Sequence, residues 1–353
     1  MEDLDNKLVI GIDGFVDQVW QVVKTRNTLE DYQLYEEMSD FSRKLAASGN
    51  GGFLNEILYK RRDFGGFTGN AGSAVIGLGI KPTIIGLFGK DRIDPVYERF
   101  IEESELITTG NPAIDQIFEF ADGKLMMPTM IDVISQNWQN IVDAVGMNKL
   151  KEIFSKAEVI ALGYWSIIFG FNEIVEGIYD LIGEDGKNKR LLFDLSDIRK
   201  SDKTELMGDL EKLSALNEKM PMTLCLNEHE TEILFSHCGE TLSHESKEAE
   251  DADEKTERVR KIIGMDELVV HTPYFAVASS SAEGRMTLPQ NHCDLAVATT
   301  GAGDHFNGAY AVGLLRRLPM AERLALANAV VYWYVSMGWS PSEEDVQSVL
   351  SRA

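Results

Sequence analysis

Apolar residues along this chain occur in two alternating patterns. Short, almost unbroken apolar runs are typical of strands buried on both faces, whereas apolar residues every three or four positions are typical of helices that pack on a sheet. We predict strands over residues 7–13, 82–88, 158–162, Arg190–Asp194, Met222–Leu226 and Glu267–His271. We predict helices over Phe171–Ile182 and residues 203–219, among others. This alternation predicts an α/β fold with a mostly parallel central sheet and helices on both faces.

One region interrupts the alternation. Residues Ala113–Phe120 and 124–133 are extended runs on either side of Asp122-Gly123, a dipeptide that favours a tight hairpin turn. An antiparallel hairpin in a parallel α/β chain predicts a small β lid, built from inserted segments that include about residues 108–135. A static edge hairpin is the alternative. Residues 33–62 form a second, polar and amphipathic insertion, to which the pattern assigns no role.

Charge and composition exclude several classes of function. The 353 residues include 34 Lys and Arg against 57 Asp and Glu, giving a net charge of −23 at pH 7. Such a chain repels the phosphates of nucleic acids and of anionic membranes, so we expect neither as a partner. Cys225, Cys238 and Cys293 are too few, and odd in number, for a disulfide framework. Because the sequence shows neither a signal peptide nor a membrane-spanning run, we expect a cytoplasmic protein.

The segment TTGAGDHFNG, residues 299–308, is the strongest candidate for chemistry. A strand-like stretch, 295–299, precedes it, and a helical stretch, 306–318, follows it and stops before a proline. The glycines therefore lie at a predicted turn from strand to helix, where backbone amides can approach a ligand closely.

Exposed amides at the start of a helix suit an anion such as a phosphoryl group, and Gly301, Ala302 and Gly303 would supply them. Asp304, in the first helical turn, could accept the proton of an attacking hydroxyl while these amides hold the developing charge. The alternative is a carboxylate that only complements the helix dipole. The glycines directly before Asp304 favour the first interpretation, which is phosphoryl transfer to a hydroxyl.

The same segment resembles the C-terminal signature of the ribokinase-like (PfkB) carbohydrate kinases. Three further stretches resemble motifs of this family in the same order: the glycine-rich sugar segment at 65–71, G-x-x-G-x-D at 86–91 and N-x-x-E at 227–230. The resemblance implies that residues 1–353 form one ribokinase-like α/β domain with a small lid. It also implies an ATP-dependent kinase that phosphorylates a hydroxyl of a sugar or sugar-like molecule.

The resemblance further implies roles for individual residues. Asp304 would be the general base, with an anion hole formed by Gly301, Ala302 and Gly303. The sugar would be bound by Asp17, Gly66 and Asn70, with Asp13 as a rival of Asp17. Mg²⁺ and the phosphates of ATP would be organised by Asn227 and Glu230, and the rest of the nucleotide would be bound by Thr272 and Asn328. The pair Asn227 and Glu230 could instead be a helix capping box.

Two departures from the family pattern leave alternatives open. Ala298 stands where many members have an Asp that helps form a monovalent-cation site, and residues 271–275 lack the glycine that usually follows Thr272 in a phosphate-binding loop. A non-catalytic sensor of sugars or nucleosides on the same fold is therefore one alternative, and a nucleoside kinase is another. The unpaired edge of the lid suggests a homodimer formed through the lid. Tyr164 and Trp165, after the predicted strand 158–162, would either stack on a ligand or pack in the core.

Overall fold

The computed structural model describes residues 4–49, 51–199, 202–242, 251–293 and 295–352. The strands in these ranges are β1 Leu8–Gly11, β2 Phe15–Arg26, β3 Tyr32–Leu34, β4 Ile57–Gly65, β5 Thr83–Gly86, β6 Glu105–Thr108, β7 Ala113–Phe120, β8 Gly123–Thr129, β9 Val159–Leu162, β10 Arg190–Asp194, β11 Met222–Leu226, β12 Glu267–His271, β13 Phe275–Ser280 and β14 Gly284–Pro289.

The α-helices are α1 Met38–Ala47, α2 Gly66–Gly77, α3 Glu98–Glu103, α4 Ile131–Ile134, α5 Trp138–Val145, α6 Met147–Lys156, α7 Phe171–Ile182, α8 Lys203–Asn217, α9 Glu228–His237, α10 Ala252–Ile263, α11 Ala302–Leu315, α12 Met320–Met337 and α13 Glu343–Leu350. Two 3₁₀ turns, Pro95–Tyr97 and Gly183–Asn188, complete the regular structure of the described residues. No helix in these ranges is both long and apolar enough to cross a bilayer.

The main sheet has the strand order β14-β13-β12-β11-β10-β9-β1-β5-β6. Its strands from β6 to β12 are parallel to their neighbours, and β13 and β14 are added antiparallel at one edge. All six strands predicted from the apolar runs are present here. Strand β6 and the edge hairpin β13–β14 are absent from the predicted strands.

Successive residues of the central strands point to opposite faces of this sheet and enter two separate cores. In β10, Leu191 and Phe193 belong to the core formed with helices α5 to α10. Leu192, between them, belongs to the core formed with α2, α11, α12 and α13. Because both faces are covered by helices, the strands carry almost no polar residues until they end, which explains the unbroken apolar runs in the sequence.

The second sheet contains β2, β3, β4, β7 and β8, and corresponds to the predicted lid. Strand β2 lies at its centre, antiparallel to β4 and parallel to β7, while β7 and β8 form the predicted hairpin. The insertion 33–62 contributes α1 and the start of β4. Helix α1 covers the outer face of this sheet, where Phe41 packs on a small cluster of Val22, Tyr35 and Phe118.

The chain passes between the two sheets at the start of β2, the end of β4, the start of β7 and the end of β8. These four points are neighbours in the second sheet, because Phe15 pairs with Gly65 and with Ala113, and Ile114 pairs with Thr129. All connections to the main sheet therefore lie along one end of the lid.

Three predictions about elements or their boundaries are wrong. Residues 295–299 are an exposed loop and not a strand; Leu295 and Val297 are 87% and 67% exposed, because the apolar stretch finds no neighbouring strand with which to pair. The run 124–133 leaves the hairpin at Thr129 and continues into the short helix α4. Helix α11 also begins at Ala302, four residues before the predicted start.

Candidate active site

A cavity of about 1990 Å³ lies between the lid and the carboxyl ends of the parallel strands. It exceeds the several hundred Å³ typical of a site for one small ligand, so it has room for a sugar and a nucleotide together. Ligands of open α/β sheets bind at this edge, because the strands end there and helices begin. The cavity is lined by residues from the ends of β10, β11 and β12, from the start of α11 and from the inner face of the lid.

Asp304 lies at the base of the cavity in the first turn of α11. One oxygen of its carboxylate accepts hydrogen bonds from Asn70 Nδ2 and from the Tyr164 hydroxyl, each over 2.9 Å. Burial and the charge of Asp194 raise the pKa of Asp304 to about 7, and these two hydrogen bonds partly offset the shift. A carboxylate with such a pKa can accept and return a proton near neutral pH.

The turn before Asp304 has a backbone conformation that requires glycine at position 301. Gly301 has φ +82°, and a Cβ at this position would lie only 2.7 Å from the amide of Asn70. The amide of Ala302 donates within the turn, to the carbonyl of Thr299. The structure thus places the three predicted residues of the anion hole, Gly301, Ala302 and Gly303, on the cavity wall beside Asp304, and their role in binding a phosphoryl group stays a prediction.

Side chains from other elements hold this turn in place. The Tyr334 hydroxyl donates to the carbonyl of Thr300 over 2.6 Å. The His305 ring contacts the carbonyl of Gly301 and the hydroxyl of Ser340, each over 2.7 Å. Burial lowers the pKa of His305 to about 4, so its ring is neutral and donates through one nitrogen only. From the lid, Lys124 Nζ donates to the Thr300 hydroxyl over 2.9 Å.

Three of the predicted sugar-binding residues, Asp17, Gly66 and Asn70, line the cavity together. Asp13 does not line it. The Asp13 carboxylate accepts the amides of Phe67 and Thr68 over 2.7 and 2.8 Å, and so caps the start of α2. This geometry favours Asp17 over Asp13 as the residue that binds the sugar, because Asp13 is fully buried and its carboxylate is already hydrogen-bonded.

Asn227 and Glu230 line the cavity and also form the capping box of α9. The Asn227 side chain accepts the amide of Glu230 over 3.0 Å, and the Glu230 carboxylate accepts the amide of Asn227 over the same distance. The capping alternative is therefore present in the structure, and the same pair borders the cavity. Burial and the charge of Asp194 raise the pKa of Glu230 well above its usual range.

Asp194, at the carboxyl end of β10, also lines the cavity but was not among the predicted site residues. Its carboxylate accepts Asn307 Nδ2 over 2.8 Å and the amide of Ser196 over 2.7 Å. Burial raises the pKa of Asp194 to about 6. Like Asn227, it is a polar residue that ends an apolar run, so the sequence contained the signal that would have identified it.

The predicted nucleotide residues differ in position. Thr272 reaches the cavity, but its hydroxyl accepts the amides of Tyr274 and Phe275 and so stabilises the turn after β12. Asn328 is not among the lining residues; it donates to the carbonyl of Pro289 over 3.2 Å. The next turn of α12 lines the cavity instead, through Val331, Tyr332 and Val335, which the sequence did not single out.

Comparison with known proteins places this site in a family. Residues 2–352 match the family model described as prokaryotic ketohexokinase. The chain belongs to this family. A ketohexokinase from Haloferax volcanii is 26% identical over 352 residues, which cover 98% of this chain and 91% of that protein.

Solved structures share the fold of this ketohexokinase family member. Phosphofructokinase-2 from Escherichia coli, in complex with fructose-6-phosphate, has a TM-score of 0.60 and 14% identity, with 98% of both chains covered. A nucleoside kinase from Methanocaldococcus jannaschii has a TM-score of 0.61 and 15% identity, covering 98% of this chain and 99% of that one. An Escherichia coli protein described as a ribokinase II, in complex with ATP and Mg²⁺, has the same TM-score, identity and coverage. The predictions of a ribokinase-like fold and of a sugar kinase are therefore confirmed.

Proposed function

We propose that the protein transfers the terminal phosphoryl group of ATP to a hydroxyl of a ketohexose, with Asp304 as the general base. The observation that supports this most directly is the position of Asp304, buried at the base of the cavity beside the glycine turn, with a pKa near 7. Membership of the ketohexokinase family supports a ketohexose as the acceptor.

The residues around Asp304 suggest how the reaction proceeds. The acceptor hydroxyl gives its proton to the Asp304 carboxylate as its oxygen bonds to the γ-phosphorus, and the bond from that phosphorus to ADP breaks. The amides of Gly301 and Gly303 stabilise the negative charge on the phosphoryl oxygens, whereas the amide of Ala302 donates to the carbonyl of Thr299 and holds the turn in shape. The hydrogen bonds from Asn70 and Tyr164 favour the ionised form of the carboxylate and fix its orientation. Closure of the lid, which would exclude water from the phosphoryl group, stays a prediction.

The acidic residues near the glycine turn fit Mg²⁺. Asp194 and Glu230 are both buried, and neither forms an ion pair with Lys or Arg in the described part of the chain. The described residues contain no cluster of three or more acidic, His or Cys side chains that would enclose a metal. Mg²⁺ keeps several waters and takes few protein ligands besides the phosphates, so two carboxylates and an amide are enough protein groups for it. Asp194, Glu230 and Asn227 would hold Mg²⁺ there, and the ion would neutralise charge on the phosphates of ATP.

Release of ADP from ATP and Mg²⁺ in the presence of D-fructose tests the proposal, and NMR of the product identifies the phosphorylated hydroxyl. We expect turnover by the unchanged protein and a loss of about 10²–10⁴-fold in kcat for Asp304→Asn. Equal turnover by Asp304→Asn would contradict the role of Asp304. Tight binding of ketoses or nucleosides without any ADP release would support the non-catalytic sensor instead, and faster turnover of nucleosides than of ketoses would support a nucleoside kinase.

A further inference from the structure

The inner face of the lid carries a row of three aspartates that lie side by side. Asp17 in β2 is the register partner of Asp63 in β4 and of Asp115 in β7. Paired residues of neighbouring strands point to the same face and are about 5 Å apart. Asp17 and Asp115 line the cavity, whereas Asp63 is exposed and does not.

Asp115 is unusual within this row because it is buried yet incompletely hydrogen-bonded. It is 2% exposed, and its Oδ1 has no hydrogen-bond partner in the described part of the chain. A buried carboxylate oxygen without a partner is costly, and such groups are rare outside functional sites. A hydroxyl of a ligand in the cavity would supply the missing donor, since a carboxylate accepts but cannot donate.

The cations on this face of the lid are already paired. Arg61 and Lys124 both contact the carboxylate of Glu119, over 2.9 and 3.6 Å, and Lys124 also donates to Thr300. The wall formed by Asp17 and Asp115 therefore has acceptors for hydroxyl groups but, among the described residues, no unpaired cation for a phosphate. Burial raises the pKa of Asp115 to about 6. Burial and the charges of Asp115 and Asp63 raise the pKa of Asp17 to about 7, and the charges of Lys124 and Arg61 offset only part of this rise.

We propose that Asp115 is a specificity-determining residue that, together with Asp17, binds hydroxyls of a neutral ketose and disfavours sugars that already carry a phosphate. This inference rests on the proposed function. It assigns one wall of the sugar site to β7, which lies in a different part of the chain from the predicted sugar-binding residues.

Steady-state kinetics of Asp115→Asn, with Asp63→Asn as the matched control, test this inference. The substrates are D-fructose, its epimers at C3, C4 and C5 (psicose, tagatose and sorbose), and D-fructose 6-phosphate. For Asp115→Asn we expect the KM for D-fructose to rise about 10- to 100-fold with little change in the KM for ATP, since a charged hydrogen bond to the sugar is lost. We also expect reduced discrimination against at least one epimer and against the phosphorylated sugar. The control removes a charge beside Asp17 but no side chain that lines the cavity, so it should leave the epimer ratios unchanged and alter each KM by less than about twofold.

The outcomes separate the inference from the function on which it rests. If the unchanged protein phosphorylates D-fructose but Asp115→Asn keeps its KM and epimer ratios within about twofold, Asp115 does not contact the sugar. A uniform loss of kcat/KM for every sugar, together with a lower Tm, would show a purely structural role and would also overturn the inference. If the unchanged protein does not turn over D-fructose at all, the proposed function is wrong.

A second measurement keeps the inference testable should the variant fold poorly. Monodeoxy derivatives of D-fructose remove one hydroxyl at a time and need no change to the protein. We expect loss of one hydroxyl to raise the KM of the unchanged protein at least tenfold, because a hydrogen bond to a charged acceptor is lost. If no deoxy sugar raised that KM by more than about threefold, no sugar hydroxyl would bind a carboxylate such as Asp115, and the inference would be overturned.

Discussion

The hydroxyl of Tyr164 should control the pH dependence of turnover through its hydrogen bond to Asp304. This bond stabilises the ionised form of the base and holds its pKa below the value that burial alone would produce. Replacing Tyr164 by Phe removes the donor and leaves the ring. We therefore expect the acidic limb of the kcat/KM profile, which reports ionisation in the free enzyme, to move to higher pH.

The size of this shift can be estimated from the strength of the bond. A hydrogen bond to an ionised group contributes about 1.5–3 kcal/mol and one to a neutral group about 1 kcal/mol, so the difference is roughly one pKa unit. Starting from a pKa of about 7, a rise of one unit lowers the ionised fraction at pH 7 from about one half to about one tenth. Turnover should fall about fivefold at pH 7 and hardly at all at pH 9.

A coupled assay of ADP release between pH 5.5 and 9.5 would measure this profile. Tyr334→Phe is the matched control, because it removes a nearby hydroxyl that donates to the carbonyl of Thr300 and not to a carboxylate. This control should leave the midpoint of the profile in place, whatever it does to the plateau. A Tyr164→Phe profile with lower activity by the same factor at every pH would refute the reasoning, because Tyr164 would then only position the base.

Three further predictions follow from buried carboxylates. Without Mg²⁺, Asp304→Asn should raise the Tm more at pH 8 than at pH 5. The pKa of Asp304 is about 7 in the folded protein and 3.8 in the unfolded chain, so the unchanged protein loses stability as the pH rises through 7, and the variant does not. Equal gains at both pH values would contradict this. Asn307→Ala should raise the pKa of Asp194 and increase the half-saturating Mg²⁺ concentration several-fold at pH 7, because protons then compete with Mg²⁺ for the carboxylate. The difference in half-saturating Mg²⁺ between the variant and the unchanged protein should be smaller at pH 8.5; an equal difference at both pH values would contradict this cause. Asp13→Ala should reduce the free energy of unfolding in urea by about 2–4 kcal/mol, because two buried amides lose their acceptor; a change below about 0.5 kcal/mol would exclude this capping role.

The sequence was sufficient for six of the nine strands of the main sheet and for the glycine turn. Runs such as Met222–Leu226 are unbroken because helices cover both faces of the sheet, and few other arrangements of a short strand favour such a run. The lid was harder to predict. Strand β2 has one face on the cavity and the other on a small aromatic cluster, so its polar and apolar residues follow no simple period. The sequence therefore placed Asp17 after a strand, whereas it lies within one.

Asp115 could not have been identified as a site residue from the sequence. The strand Ala113–Phe120 was predicted correctly, but which of its faces meets the cavity depends on pairing with β2, far away in the chain. The prediction of a strand over residues 295–299 was wrong for a related reason. Its composition suits a strand, and only the absence of a neighbouring strand among the described residues prevents it from forming one.

The alignment of the four connections to the lid restricts how the lid can move. Phe15, Gly65, Ala113 and Thr129 form a line across one end of the second sheet, and the small cluster under α1 stiffens the sheet beyond that line. A plate attached along a single edge can swing about that edge but can hardly slide or twist. Any opening of the cavity should therefore sweep Lys124, at the far end of the lid, through a wide arc and displace the aspartate row, close to the axis, by much less.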